Sequence, residues 1–147
     1  MEIRPYQEQD QTSLARLWLA SWRSTGLAEA EGGDWQTLHD RIPDELAAGW
    51  AVHVAEEDGA LLGFAAVIAA DHCLDQLFVA PEAQGRSIGK DLLDHAKAGS
   101  PEGLWLRTPT ANHGACRFYE REGFAGGETV PHPKFGFACV IYRWRDA

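Results

Sequence analysis

No uninterrupted apolar run in the sequence approaches the roughly 18 residues that a membrane span requires, so no membrane partner is expected. Cysteine is scarce: Cys73, Cys116 and Cys139 are odd in number and far apart, with no C-x-x-C pair. That argues against a zinc site or redox dithiol and for reduced thiols in cytosol. Positive charge is short as well. Thirteen Lys and Arg stand against 22 Asp and Glu, a net charge of −9, which disfavours nucleic acid or an anionic surface as partner. Internal repeats and low-complexity segments are missing, and the polar start Met1-Glu-Ile-Arg-Pro-Tyr6 has no apolar segment behind it. A soluble, unexported, cytoplasmic protein is the expectation.

The 147 residues are 45% hydrophobic and 24% charged, the balance of a globular chain that buries roughly two thirds of its unfolded surface. One domain spanning residues 1–147, with one site, follows from that length. The acidity is uneven: residues 1–50 carry 4 basic and 9 acidic side chains, 51–100 carry 3 and 8, and 101–147 carry 6 and 5. A neutral or cationic small molecule suits such a surface better than an anionic one.

Ile3 to Tyr6 reads as an edge strand, because Pro5 lacks an N–H. Asp10 or Thr12 can cap a helix whose Leu14, Leu17, Trp18, Ser21 and Trp22 share one face, ended by Gly26. A loop over residues 27–34 leads to a second helix from Trp35 to Ala48, which Pro43 should break or kink. Trp50 to Glu56 and Ala60 to Ala70 form a hairpin about Asp58-Gly59, and Cys73 to Val79 is a strand with residues 73, 75, 77 and 79 on one face. A helix over Ser87 to Ala98, a strand over Gly103 to Thr108, a helix from Asn112 to Glu122 and strands over Phe124 to Val130 and Phe135 to Trp144 complete the chain. The order β-α-α-β-β-β-α-β-α-β-β predicts an α/β protein of α+β type: a mixed, mostly antiparallel central sheet of about seven strands flanked by about four helices. If the last strand is a sheet edge, it can pair across a homodimer.

Val79-Ala-Pro-Glu-Ala-Gln84-Gly85-Arg86-Ser87-Ile88-Gly89-Lys90 places a strand end, a glycine-containing turn and a helix start in succession. Unpaired N–H groups at a helix N-terminus hold anions, and glycine lets the main chain approach them. Arg86 and Lys90 can add charge. The spacing is neither G-x-x-x-x-G-K-[ST] nor G-x-G-x-x-G, which disfavours nucleoside triphosphates and dinucleotides.

These residues, read with the preceding Leu77-Phe78-Val79, resemble the signature Q/R-x-x-G-x-G/A of the GNAT superfamily of N-acetyltransferases. Ser87 stands where the first motif glycine usually sits, and its hydroxyl can itself bind phosphate. Asn112-His-Gly-Ala115-Cys-Arg-Phe118-Tyr119-Glu-Arg-Glu-Gly123-Phe124 is similar to the second GNAT block, N-x-x-A-x-x-F-Y-x-x-x-G-F. The resemblance implies that Gln84 to Gly89 cradle the pyrophosphate of acetyl-coenzyme A, and that Leu77, Phe78 and Val79 lie along the coenzyme. It also implies that a backbone N–H near Phe78 or Val79 polarises the thioester carbonyl. Asn112 and Ala115 would face the pantetheine or acetyl end, with Tyr119 beside the sulfur.

Attack of an amine expels a thiolate with a pKa near 8.5, and a phenol with a pKa near 10 can stabilise it by donating a hydrogen bond, so Tyr119 is the candidate general acid. A primary amine is mostly protonated near neutral pH and needs a base; Asp75, on the strand before the loop, is the candidate, with Asp71 and His72 just upstream. Cys116, one helical turn before Tyr119, is read as a structural thiol, and transfer is expected to be direct within a ternary complex. Trp18, Trp22 and Trp35 with Glu29, Glu31 and Asp34 are the candidate acceptor pocket, an apolar and negative surface for a cationic amine. His132-Pro133-Lys134 forms its rim or a plain turn. No metal is expected. Two other readings stand beside a small-molecule N-acetyltransferase: a coenzyme-binding or amine-sensing domain without catalysis, and a protein or peptide N-acetyltransferase.

Overall fold

In the computed structural model, which describes residues 1–24 and 34–145, apolar alternation and helical periodicity resolve into seven strands and four α-helices. In chain order these are β1 (Glu2–Pro5), α1 (Gln11–Ser24), α2 (Trp35–Ala47), β2 (Trp50–Glu57), β3 (Ala60–Ile68), β4 (Cys73–Val79), α3 (Ile88–Ala98), β5 (Gly103–Pro109), α4 (His113–Arg121), β6 (Ala125–Pro131) and β7 (Ala138–Arg145). The strands form one sheet in the order β1-β2-β3-β4-β5-β7-β6. Every neighbouring pair is antiparallel except β4 and β5.

Helices cover both faces of the β2–β4 half. From α1, the buried Trp18 packs against Trp50 and Phe64 with ring centroids 5.5 and 6.0 Å apart. On the other face Ile88 and Leu92 of α3 lie over Gly63, the neighbour of Phe64, because successive strand residues point opposite ways. A methyl group on Gly63 would meet Phe78 O at 2.7 Å and Leu92 Cδ1 at 3.0 Å, so this close approach needs glycine. Leu14, Leu38, Ile42, Leu92, Leu93 and Leu104 are fully buried and form the body of the core.

Two expectations are corrected and one is narrowed: of the break or kink expected at Pro43, the break does not occur, since Pro43 sits inside α2. A proline ring removes the N–H that would bind the carbonyl four residues back, and here that carbonyl, His39 O, accepts the Gln11 Nε2 donor at 2.9 Å. The strand expected to reach Ala70 stops at Ile68, because Ala69–Asp71 turns as a short 3-10 segment. The last strand begins at Ala138, and it is paired on both sides by β5 and β6. Its backbone groups are therefore spent within the sheet, which removes the proposed route to a homodimer; the edges are β1 and β6.

Candidate active site

The one parallel pairing of the sheet is also its weakest seam. β4 and β5 are in register only at Cys73↔Trp105, where Trp105 N–H donates to His72 O at 2.9 Å. A bulge lies just beyond on the β3 side: Ala66 pairs with Gln76 and Val67 with Leu74, so Asp75 is an extra residue. Bulges bend a strand and re-aim its side chains, which overturns the simple alternation expected for residues 73, 75, 77 and 79. The strands part into a cleft of about 130 Å³ whose lining includes Trp22, Asp75, Phe78, Arg107, Asn112 and Tyr119.

α4 carries two of these groups. Asn112 is its N-cap, with Oδ1 accepting Ala115 N–H at 3.2 Å; that use of the oxygen leaves the side-chain NH2 as a donor. Tyr119 is 8% exposed, edge-on to Phe118 and Phe124 at 5.1 and 5.6 Å. Its hydroxyl makes no hydrogen bond to protein among the described residues. Burial, helped by Cys116, pushes the phenol well above its ordinary pKa, so it keeps its proton throughout the neutral range.

Asp75 also lines the cleft, and its Oδ2 accepts the Trp50 indole N–H at 2.8 Å. Beside it, burial and then the Asp75 charge push the Cys73 thiol up to about 12, which makes Cys73 an inert core sulfur. Leu77 and Phe78 line the cleft, whereas Val79 turns into the next cavity. The end of β4 is pinned by Ser21 Oγ donating to Val79 O at 2.9 Å and by Ala80 N–H donating to Leu62 O at 2.8 Å.

That next cavity, about 350 Å³, is the glycine-containing turn itself, lined by Gln84, Gly85, Ser87, Ile88, Gly89 and Lys90 with Val79, Phe118, Arg121 and Glu122. Gly85 takes φ +85° and Ser87 φ +64°, ψ +19°, both left-handed, which turns the chain sharply into α3. The first helical bond is Asp91 N–H to Ser87 O at 3.0 Å. The N–H groups of Ile88, Gly89 and Lys90 precede it and have no helical acceptor, which leaves them as donors at the positive end of the helix dipole, where negative charge is favoured. The two cavities abut: Phe78 and Val79, adjacent on β4, line one each, as do Tyr119 and Phe118 on α4.

Several expected residues lie elsewhere. Arg86 turns away from the cradle to Glu57, with guanidinium–carboxylate distances of 2.9 and 3.0 Å. Lys90 lines the cradle, held by Asp94 at 3.1 Å and Glu122 at 3.2 Å. Trp18 is 1% exposed in the core and Trp35 lies under the Arg16 guanidinium at 4.5 Å, so neither lines the cleft. Trp22 does, edge-on to Phe78 at 6.2 Å. Asp34 caps α2 by accepting Thr37 N–H at 2.9 Å, and Glu29 and Glu31 lie outside the described residues. His132 lines the cleft and also makes its turn, Nδ1 accepting the Lys134 and Phe135 N–H groups at 3.1 Å. Sequence reasoning missed Arg107 in the cleft and Arg121 in the cradle. The alternation of buried Leu104, Leu106 and Thr108 marks Arg107 as outward, and only the parting of β4 from β5 makes that direction a cleft wall.

Residues 48–125 match the acetyltransferase (GNAT) domain family. The chain is 33% identical over 122 residues to the peptidyl-lysine N-acetyltransferase YiaC of Escherichia coli, covering 83% of this chain and 82% of that protein. It is 38% identical over 88 residues to the 5-NmdU N-acetyltransferase of Pseudomonas phage PaMx11, covering 56% of this chain and 62% of that protein. The PaiA N-acetyltransferase of Thermoplasma acidophilum, solved in complex with coenzyme A, shares the fold with a TM-score of 0.75 over 98% of both chains at 21% identity.

Proposed function

The chain belongs to the GNAT family of acetyltransferases, and from that premise we propose that it moves an acetyl group from acetyl-coenzyme A to the primary amine of a small molecule, bound as its cation. Transfer is by direct attack in a ternary complex, and residues 1–147 act as one domain. The observation that carries this reading is the adjoining of an amide-lined anion cradle and a cleft holding a protonated phenol and a carboxylate.

The cradle suits a pyrophosphate: free N–H groups at residues 88–90 and two left-handed turn residues form its wall, and Lys90 and Arg121, both beside Glu122, also line it. When bound, acetyl-coenzyme A supplies an acyl thioester whose thiolate is the leaving group. Asp75 takes a proton from the incoming ammonium, directly or through water, with Trp50 fixing one carboxylate oxygen. As the C–N bond forms and the C–S bond breaks, the second proton leaves the nitrogen and passes through water to the departing thiolate. Tyr119, kept protonated by burial, donates a hydrogen bond to that sulfur, since full transfer from the phenol to a thiolate near pKa 8.5 is uphill. The Asn112 amide orients the pantetheine end, and a backbone N–H at Phe78 or Val79 holds the carbonyl oxygen. The cleft is smaller than the roughly 300–1,000 Å³ of a typical ligand pocket, so it suits the reacting ends of slim chains.

Thiol release from acetyl-coenzyme A against polyamines, amino acids, aminoglycosides and lysine peptides, with hydrolysis subtracted and coenzyme binding followed by calorimetry, tests the reading. Turnover on a free amine supports it. Coenzyme binding without turnover on any amine overturns it in favour of a sensor. The likeness to YiaC favours a second reading, acetylation of a lysine side chain in a peptide, and turnover confined to the peptides would establish that one.

A further inference from the structure

Arg107 stands apart from the charge balance of the chain. It is the one Lys or Arg side chain lining the reaction cleft among the described residues, and it has no ion-pair partner among them. Its guanidinium rests over the Trp105 ring at 4.8 Å, a stacking that holds the planar group without using its donors. Its charge is felt inside the cleft, where it favours the thiolate forms of Cys73 and Cys139. It also lines an open groove of about 560 Å³, together with Asp71, Trp105, Glu128, Pro131, Ile141 and Arg143. The groove's other guanidinium, Arg143, is taken by Glu128 at 2.7 Å.

One cleft therefore holds a carboxylate, Asp75, and a guanidinium, Arg107, that are not paired with each other. A cation alone would be attracted by the first and repelled by the second. A molecule carrying an ammonium and an anion a few bonds apart satisfies both. We infer that the acceptor bears a carboxylate beside its amine, and that Arg107 is the residue that selects it, with the body of the acceptor running from the cleft into the groove. This rests on the acetyl-transfer reading above and narrows its substrate class. A guanidinium meets a carboxylate through two parallel N–H donors, which makes the selection geometric as well as electrostatic.

The test compares matched amines that differ in that one group: L-lysine, lysinamide and cadaverine, with lysine peptides flanked by Asp or by Asn to tell a free carboxylate from one borne by a chain. Wild-type kcat/KM is expected to favour the carboxylate member by roughly tenfold or more, the effect of a charge-assisted hydrogen bond. In Arg107→Gln that preference falls towards one, through KM rather than kcat, and Arg107→Lys keeps part of it. Arg117→Gln, an equal charge change at an exposed residue that lines neither the cleft nor the groove, keeps it all. Arg107 is exposed, so the variants should fold, and a thermal melt checks this. Equal wild-type turnover of the matched amines, or a preference that survives Arg107→Gln, overturns the inference and leaves acetyl transfer standing. Coenzyme binding with no amine turned over overturns both.

Discussion

Ser87→Gly isolates what the cradle's backbone does from what its side chain does. Ser87 sits at φ +64°, ψ +19° with no capping hydrogen bond from its hydroxyl. A left-handed conformation costs an L-residue about 1–2 kcal/mol; glycine avoids that strain but loses about 0.5–1 kcal/mol more chain entropy on folding. The net gain is about 0–1.5 kcal/mol, which for a chain of this size raises Tm by up to about 6 °C. Ser87→Val, β-branched at the same angles, should lower Tm. Coenzyme binding gives the second half of the test. If backbone N–H groups hold the pyrophosphate, Kd measured by calorimetry in Ser87→Gly changes less than threefold, whereas loss of a hydroxyl–phosphate hydrogen bond of about 1.5–3 kcal/mol would weaken it at least tenfold. A Tm that is lower in Ser87→Gly would refute the strain, and a tenfold loss of affinity would refute the amide cradle.

Asp75→Asn should lower kcat/KM by about 10²–10⁴ and change the acid limb of the pH–rate profile, as expected when a general base is removed; an unchanged profile removes Asp75 from that role. Asp10 is tied to Arg4 at 2.8 and 3.0 Å and to Gln7 N–H at 2.8 Å. Chiefly through the Arg4 hydrogen bonds its pKa is held below the ordinary carboxylate value. Its stabilisation is then fully present above about pH 4 and is lost as pH falls through the depressed pKa. Melts of wild type and Asp10→Asn should differ at pH 7 and converge in acid, and a constant difference across that range would contradict the linkage.

The motifs around Gln84–Gly89 and Asn112–Phe124 could be read from the chain because each is local: a turn, a cap and a helical stripe are set by residues a few positions apart. What depends on distant partners could not. Arg86 looked like a phosphate ligand until Glu57, from the β2–β3 hairpin, was placed beside it. Pro43 looked like a helix breaker because nothing local announces that Gln11 will reach the carbonyl it orphans. Trp18 and Trp22 share a helical stripe, yet one is core and the other cleft wall, since β4 lies nearer one end of α1. Asp75 shows the same limit in a strand. Its residue type suggested a base, but a bulge rather than alternation brings it to the cleft.

The measurement that bears most directly on acetyl transfer in the β4–β5 cleft is single-turnover and steady-state kinetics of Tyr119→Phe beside its coenzyme Kd. Removing one hydroxyl that makes no hydrogen bond to protein should leave folding and coenzyme affinity nearly intact, with Kd changed less than threefold. The account predicts a fall in kcat of about 10- to 100-fold, the worth of the hydrogen bond that the phenol donates to the developing thiolate. Wild-type turnover in Tyr119→Phe would contradict it.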